Sequence, residues 1–382
     1  MNDRDSNTRA FKLDKHLSQR AARERRRKTQ RIILIVLMSL LAVSLIVATV
    51  VICSELASGG EDTLPHVDQT TGLPTPGEDT GNEPSESTTP AETSAPETTA
   101  GTPEGYTVKL MTADDVHRGE LILVNDNYKY QPPTTTTDLC DVRSSRSEKW
   151  GLSATGKTIH SYSCAYDLKL SAKALTALNN MIDDFYDATG NQDVYFPQLS
   201  CYRSSTEQAE LYDLKPSRED PDGCSEHNTG LAVDVRAWLT VASGDVYPYI
   251  SEDYPSCVQI YEWLNSNCYK YGYVQRYTDG KASVTHSAHY SEHYRYVGYP
   301  HALAMMRNDL CLEEYLAVLA ARHSYESTHY VINGDDGVTY EIYYVPAATG
   351  EGATTSVPVP INLPYTISGN NYDGFIVTIT RA

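Results

Sequence analysis

The ten residues SEHNTGLAVD, at positions 225–234, decide how the rest of this chain is interpreted. They place His227 and Asp234 seven residues apart, and a second histidine, His293, follows in SEHYRYVG. Two imidazoles and one carboxylate form a three-ligand set for a catalytic zinc and leave a fourth position for water. Gly230, between the first two ligands, suits a backbone that must pass close to another group. The pattern therefore predicts a metal site.

Three further blocks accompany this motif, namely GELILVN (119–125), SCYRSSTEQAELY (200–212) and WLNSNCYKYGYVQRYTDGK (263–281). Together the four blocks resemble the VanY-type zinc D-alanyl-D-alanine carboxypeptidases over roughly residues 116–316. The resemblance implies an α+β fold like that of the zinc DD-peptidases, with mainly antiparallel sheet and flanking helices. It also implies hydrolysis of the terminal D-alanine bond of peptidoglycan stem peptides, and it makes GELILVN the first strand of the domain.

The same resemblance implies a role for each site residue. His227, Asp234 and His293 would hold Zn²⁺. Arg203 would meet the C-terminal carboxylate of the substrate or the developing oxyanion, because a planar guanidinium suits bidentate binding of a carboxylate. Two further residues match family positions that bind the substrate or the loop holding it, and a structural role is equally compatible with both: Gln208 and Ser225.

The chain departs from the family pattern at the general base. Family members carry a glutamate three residues before the second ligand histidine, and this chain has Tyr290 there. A phenol with a pKa near 10 is a poor base at neutral pH. Glu292 lies one residue before His293, and in an extended segment it would point away from the metal. His289 and Glu226 are further candidates.

Two functions follow from this departure. The first is an active zinc carboxypeptidase, which retains the metal and the substrate-facing residues. The second is a catalytically weak or inactive binding module that holds cell-wall peptides on the same scaffold. The residue at position 290 is the feature that separates them.

The N-terminal part of the chain predicts a membrane anchor. Residues 1–31 carry 11 Lys and Arg against 4 Asp and Glu, and residues 32–53 form an uncharged apolar run of 22 residues. A run of that length spans a bilayer core of about 30 Å, and the basic arm favours a cytoplasmic N-terminus. We therefore expect a single-pass protein of the cell membrane with an extracytoplasmic C-terminal domain.

Residues 54–105 have the composition of a disordered stalk. They contain 11 Asp and Glu, no Lys or Arg, and many Ser, Thr, Pro and Gly. Such a segment cannot bury enough apolar surface to offset the entropy of ordering. The formal net charge of the whole chain is -19, and this acidity argues against nucleic acid as a partner.

The remaining chain divides into a carboxypeptidase-like domain at 106–324 and a β-rich appendage at 325–382. Periodicity predicts helices and strands in the first part. The helices are expected at 167–186, 206–214, 257–271, 300–308 and 312–320, and the strands at 193–199 and 231–237. In the appendage, alternating residues predict three or four strands, either as a separate module or as a sheet packed on the peptidase domain.

An extracytoplasmic location permits disulfides. There are eight cysteines in the chain, and none has a spacing typical of a structural zinc site. Cys201 and Cys224 lie inside the site motifs, so they are candidates for a bridge near the cleft. A buried free thiol is the alternative for each.

Overall fold

The structure, a computed structural model, describes residues 104–134, 138–240, 246–249, 255–286, 290–350 and 352–381. The basic arm, the apolar run and nearly all of the stalk lie outside these residues, as does His289. Among the helices that are described, none has the length and apolar character needed to cross a membrane.

The described residues form fifteen strands and six α-helices, and the strands pair mainly antiparallel, as in an α+β fold. The helices are α1 Ala172–Thr189, α2 Ser205–Leu214, α3 Pro255–Asn267, α4 Ala282–Thr285, α5 Tyr299–Asn308 and α6 Leu312–Arg322. The strands of the first half are β1 Tyr106–Thr112, β2 Leu139–Asp141, β3 Ser163–Cys164, β4 Lys169–Ser171, β5 Val194–Phe196, β6 Ala232–Asp234, β7 Arg236–Thr240 and β8 Val246–Tyr249. Those of the second half are β9 Tyr273–Gln275, β10 His293–Tyr296, β11 Tyr330–Asn333, β12 Thr339–Pro346, β13 Thr354–Pro360, β14 Tyr365–Gly369 and β15 Gly374–Arg381.

Helix α1 begins later than its periodicity predicts. Residues of β4 precede it and pair with β2, so the chain is extended up to Ser171. The Ser171 hydroxyl then accepts a hydrogen bond from the Ala174 N–H and caps the helix. The helix ends at Gly190, which has the left-handed conformation typical of a C-terminal cap.

Two sheets pack against the main apolar core. One has the order β3-β5-β7-β8, in which β3 and β5 are parallel and the other pairs are antiparallel. The other is antiparallel, with the order β6-β10-β9. The main apolar core lies between α1, α3 and these strands, and its fully buried members include Leu178, Ile182 and Leu264. The predicted α+β class with mainly antiparallel sheet is confirmed.

The described residues of the C-terminal region form five strands, so the expected count of three or four was wrong. Four of them form an antiparallel sheet in the order β11-β12-β15-β14, and β13 pairs with β1. Strand β12 buries Ile342 and Tyr344 in one apolar cluster and Tyr343 and Val345 in another, because successive side chains point to opposite faces. The sheet is thus covered on both faces.

One face of the C-terminal sheet is covered by residues of the carboxypeptidase-like domain. The first cluster joins the sheet to α5, α6 and Leu121, so the sheet packs on the domain. The expectation that residues 119–125 form a strand was wrong. They are a largely buried irregular segment, tied to the sheet by the Leu123 N–H, which donates to the Asn370 carbonyl (3.1 Å), and by the Asn371 side chain, which donates to the Leu123 carbonyl (2.7 Å).

Candidate metal centre and substrate site

Local backbone structure brings the three expected ligands together. A short 3-10 helix, Glu226–Thr229, carries His227 and ends at Gly230, whose φ is 72°. The left-handed conformation favours glycine, and a Cβ at Gly230 would lie 2.7 Å from Leu139 Cδ2, so a larger residue would also have to displace the Leu139 side chain. Strand β10 then pairs with β6 so that His293 lies opposite Asp234. Paired residues share a face of the sheet, which brings both side chains to His227.

The ligand atoms converge on one point. His227 Nε2 lies 3.3 Å from Asp234 Oδ2, and His293 Nδ1 lies 2.9 Å from Asp234 Oδ1. One possible ligand atom from each residue lies within 4.8 Å of the other two. His227 and His293 are buried and Asp234 is nearly so. This spacing fits a single metal ion at the centre of the group.

The outer nitrogen of each imidazole has its own partner. His227 Nδ1 lies 2.8 Å from the Cys201 carbonyl oxygen, which can only accept, so this nitrogen carries the proton. His293 Nε2 lies 3.2 Å from Glu226 Oε2. Such contacts fix the orientation and the tautomer of metal-binding histidines. They leave His227 Nε2 and His293 Nδ1 directed at Asp234.

Glu226 is the centre of a buried ion-pair network. Its Oε1 lies 2.8 Å from Arg276 Nε and 3.1 Å from Arg295 Nη1. Arg276 also makes a bidentate pair with Glu313 of α6, at 2.9 and 2.7 Å. Burial alone would raise the pKa of Glu226, but the two arginines outweigh burial and hold this pKa well below its usual range. Glu226 is therefore ionised and supports His293, and Arg276 has a structural role in this network.

The two histidines of the predicted ligand group differ in protonation. Burial and the neighbouring Arg203 lower the pKa of His227 to about 4. Burial also disfavours the charged form of His293, but hydrogen bonds to Asp234 and Glu226 outweigh it and raise this pKa to about 9. Binding of a divalent ion therefore requires His293 to release the proton at Nδ1.

Arg203 lies beside the ligands and is buried. Its Nη2 is 3.2 Å from Asp234 Oδ2, and its Nη1 is 2.9 Å from Glu219 Oε2 and 3.2 Å from Gln208 Oε1. Gln208 is fully buried, and its amide also donates to the Asp220 carbonyl (2.6 Å). Gln208 thus holds Arg203 and the segment around Asp220.

Ser225 occupies a backbone position of the ligand loop. It is buried and precedes the 3-10 helix, and its carbonyl accepts a hydrogen bond from the Asn228 N–H (3.1 Å). Its hydroxyl makes no capping hydrogen bond to this helix. The observed contact supports the loop that carries His227.

The segment before His293 is not extended, so the premise used to orient Glu292 was wrong. The His293 N–H donates to the Tyr290 carbonyl (3.2 Å), and residues 291 and 292 form a turn. Burial raises the pKa of Glu292, and its carboxylate lies 3.5 Å from Arg218 Nη2. The Tyr290 hydroxyl donates to the Arg218 carbonyl (3.1 Å). Both side chains therefore contact the segment at residue 218.

Sequence reasoning missed the three consecutive residues Arg218, Glu219 and Asp220. All three reach the site, although they lie in a polar stretch without helical or strand periodicity. Burial raises the pKa of Asp220 to about 6, and His293 is the largest charged influence that opposes this rise. The only signal in the sequence was their position just before the ligand motif.

The cysteines of the described residues are all free. Cys201 and Cys224 are both buried and free, so the alternative of a buried free thiol holds for each and the candidate bridge is absent from the described residues. Cys201 contributes to the site through its carbonyl oxygen, which fixes His227.

Comparisons with known proteins agree on one family. Residues 167–299 match the family model of VanY, D-alanyl-D-alanine carboxypeptidase. A D-alanyl-D-alanine carboxypeptidase of Enterococcus faecium is 31% identical over 282 residues, which cover 73% of this chain and 81% of the relative. Another, from Enterococcus faecalis (strain ATCC 700802 / V583), is 31% identical over 35% of this chain and 52% of its own length.

A solved structure of a D,D-peptidase is also similar to this chain. The vancomycin resistance D,D-dipeptidase VanXYg, in complex with a D-Ala-D-Ala phosphinate analog, is 27% identical to this chain. The superposition covers 72% of this chain and 99% of the other, with a TM-score of 0.57.

Proposed function

Since the chain belongs to the VanY D-alanyl-D-alanine carboxypeptidase family of hydrolases, we propose that it is a zinc enzyme acting on peptidoglycan. Its reaction would be the release of the terminal D-alanine from stem peptides ending in D-Ala-D-Ala. The observation that carries this proposal is the convergence of His227, Asp234 and His293 beside Arg203.

Zn²⁺ is the ion that this donor set fits. Two imidazole nitrogens and a carboxylate are typical of catalytic zinc sites with an open fourth position. Bound there, zinc would supply a water of lowered pKa and would polarise the scissile carbonyl. The protein contributes ligand orientation, through the contacts of the Cys201 carbonyl with His227 and of Glu226 with His293.

Arg203 supplies the positive charge on the substrate side of the site. Its guanidinium is anchored by the Leu199 carbonyl and Gln208 and reaches Asp234. A substrate carboxylate or a developing oxyanion beside the ligands would meet this charge. Charge-assisted hydrogen bonds of this kind contribute about 1.5–3 kcal/mol each.

Because position 290 holds a tyrosine where the family has its glutamate, a different carboxylate would transfer the proton. The Tyr290 hydroxyl is engaged with the Arg218 carbonyl, and burial raises its pKa further from neutrality. Glu226 is held ionised between two arginines. Burial raises the pKa of Asp220, which lies near enough to His293 to be affected by its charge, and the pKa of Glu292, which is affected by the charge of Asp234. These two carboxylates are therefore our candidates for the general base.

We further propose that residues 32–53 anchor the protein in the cell membrane and hold the enzyme domain on the outer side. The support is the 22-residue apolar run that follows a basic arm. Protease added to intact cells should remove the domain, and a soluble mature protein that lacks residues 1–53 would contradict the anchor.

Peptide hydrolysis tests the enzymatic proposal directly. The zinc-loaded protein should release D-alanine from diacetyl-Lys-D-Ala-D-Ala, should lose this activity with a chelator and should regain it with Zn²⁺. Arg203→Ala should abolish peptide binding, whereas Arg307→Ala, which removes an exposed arginine paired with Asp335, should not. Peptide binding without turnover at any pH would instead favour the binding module.

Substitution at position 290 tests the missing base. Tyr290→Glu restores a carboxylate three residues ahead of His293. It should raise turnover by about tenfold or more, since general-base effects are about 10²–10⁴-fold. No gain with zinc still bound would show that the site has diverged at more than one residue.

A further inference from the structure

Most of the hydrogen-bonding capacity of Arg203 is already in use. A guanidinium has five N–H donors. Nε donates to the Leu199 carbonyl (2.5 Å), Nη1 donates to Gln208 (3.2 Å) and Glu219 (2.9 Å), and Nη2 donates to Asp234 (3.2 Å). Among the residues that the structure describes, only one N–H of Arg203, on Nη2, has no partner. A carboxylate that binds in bidentate fashion needs two, so one present partner must leave.

Glu219 is the partner best able to leave. The Leu199 oxygen belongs to the backbone, Asp234 is a ligand residue, and Gln208 has no exposed surface. The Glu219 side chain is 19% exposed, and it follows an exposed stretch of chain at residues 213–218. Its departure would free an N–H on Nη1 next to the unused one on Nη2.

We propose that the Glu219 carboxylate occupies the place of the substrate's C-terminal carboxylate and must be displaced for substrate to bind. This inference rests on the proposed function, because it takes the substrate to be a peptide with a free C-terminus. The two groups are chemically alike, both being carboxylates that pair with one guanidinium. Glu219 therefore sets the affinity of the site for carboxylate-terminated peptides.

Tyr290 and Glu292, at which the chain departs from the family pattern, hold Glu219 in position. We call residues 218–220 the latch, because this segment holds Glu219 against Arg203. The Tyr290 hydroxyl donates to the Arg218 carbonyl (3.1 Å), and the Glu292 carboxylate lies 3.5 Å from Arg218 Nη2. On the other side of Glu219, the Gln208 amide donates to the carbonyl of residue 220 (2.6 Å). A glutamate at position 290 has no phenol to make the first contact, so Tyr290 is a positioning residue of the latch.

Steady-state kinetics of the zinc-loaded full-length protein test this proposal. With diacetyl-Lys-D-Ala-D-Ala, Glu219→Gln and Glu219→Ala should lower KM about three- to tenfold and change kcat little. Tyr290→Phe should lower KM in the same direction by a smaller factor, because it releases only one contact of the latch. Glu210→Gln, an exposed position on α2, is the control and should leave KM unchanged.

A second substrate separates displacement from general loosening of the site. The C-terminal amide of the same peptide carries no carboxylate to compete with Glu219, so its affinity, measured by calorimetry, should be equal in wild type and variants. A KM that rises or stays unchanged in both Glu219 variants would overturn the proposal, as would an equal gain for the amide. If no variant turns over substrate, the proposed function fails. The calorimetric affinity of the free-acid peptide then decides the role of Glu219, with a gain in both variants expected.

Discussion

Two buried histidines eight residues apart have opposite protonation. His293, in the ligand group, faces the carboxylates of Asp234 and Glu226, and these raise its pKa to about 9 although burial opposes the charge. Within the described residues, the hydrogen bonds of the His301 ring, in α5, are to the uncharged hydroxyls of Tyr315 and Thr378, and burial lowers its pKa to about 3. The charge of its hydrogen-bond partners therefore decides whether a buried histidine is protonated.

The regions around these two residues differ in the same way. The region around the predicted ligand group is held by ion pairs around Glu226, which fix the positions of these side chains. The region around His301 joins α5, α6 and the C-terminal sheet through an apolar cluster that includes Leu303, Leu316 and Ile376. We infer that the first region supplies chemistry and the second supplies stability.

Removal of the C-terminal sheet should have the largest effect. A chain of residues 104–324 would expose the apolar faces of α5 and α6 together with Leu121 and Leu123, which lie in the cluster shared with the sheet. We expect it to be unfolded or aggregated, while a chain of residues 104–382 gives a cooperative thermal transition. A folded, zinc-binding 104–324 chain, observed by circular dichroism and metal analysis, would make the sheet a separate module.

Glu226→Gln should be the most damaging single substitution among the charged residues. It leaves Arg276 and Arg295 buried without their shared carboxylate, and breaking a buried pair typically costs about 3–5 kcal/mol. Glu314→Gln is the matched control, because its partly exposed pair with Lys281 contributes about 0–1 kcal/mol. The measurement is urea unfolding of the metal-free proteins. Equal losses in the two variants would contradict the importance of the buried network.

The pH dependence of stability should have opposite signs at the two histidines. The folded pKa of His301, about 3, lies below the unfolded value of about 6.5. Its contribution is therefore complete above pH 6.5 and is lost as the pH falls towards 3, by about 2 kcal/mol at pH 5. In the metal-free protein, the contribution of His293 is complete below pH 6.5 and is lost as the pH rises to about 9.

Two variants separate these contributions. His301→Gln should flatten the loss of unfolding free energy between pH 7 and 5, measured in urea. His293→Gln should flatten the loss between pH 7 and 9. Curves of the same shape as wild type in both variants would show that these residues do not titrate as proposed.

Sequence patterns predicted the grouping of His227, Asp234 and His293, which the structure brings together. The family assignment, the α+β class and the hydrolase activity of the family are confirmed by the comparisons. The motif predicts this grouping because Gly230 fixes the turn between His227 and Asp234. The pairing of β10 with β6 then places His293 opposite Asp234. Short-range spacing and a single register are enough to define this geometry.

The remaining features depend on contacts that no local pattern records. Residues 119–125 have the composition of a strand, but their polar groups are paired with Asn370 and Asn371 instead of a neighbouring strand. The roles of Glu219 and Tyr290 depend on how residues 218–220 cross the site. Loop conformations of this kind are set by tertiary contacts, so hydrophobic periodicity does not reveal them.

Zinc binding by the ligand group is the central claim, and calorimetric titration of the chelator-treated protein with Zn²⁺ tests it most directly. We predict one zinc per chain and, at pH 7, release of about one proton from His293, whose metal-free pKa is about 9. The released protons are counted by repeating the titration in buffers of different ionisation enthalpy. His227→Ala should lose zinc binding while its fold is retained. Full zinc occupancy in that variant would contradict this ligand set.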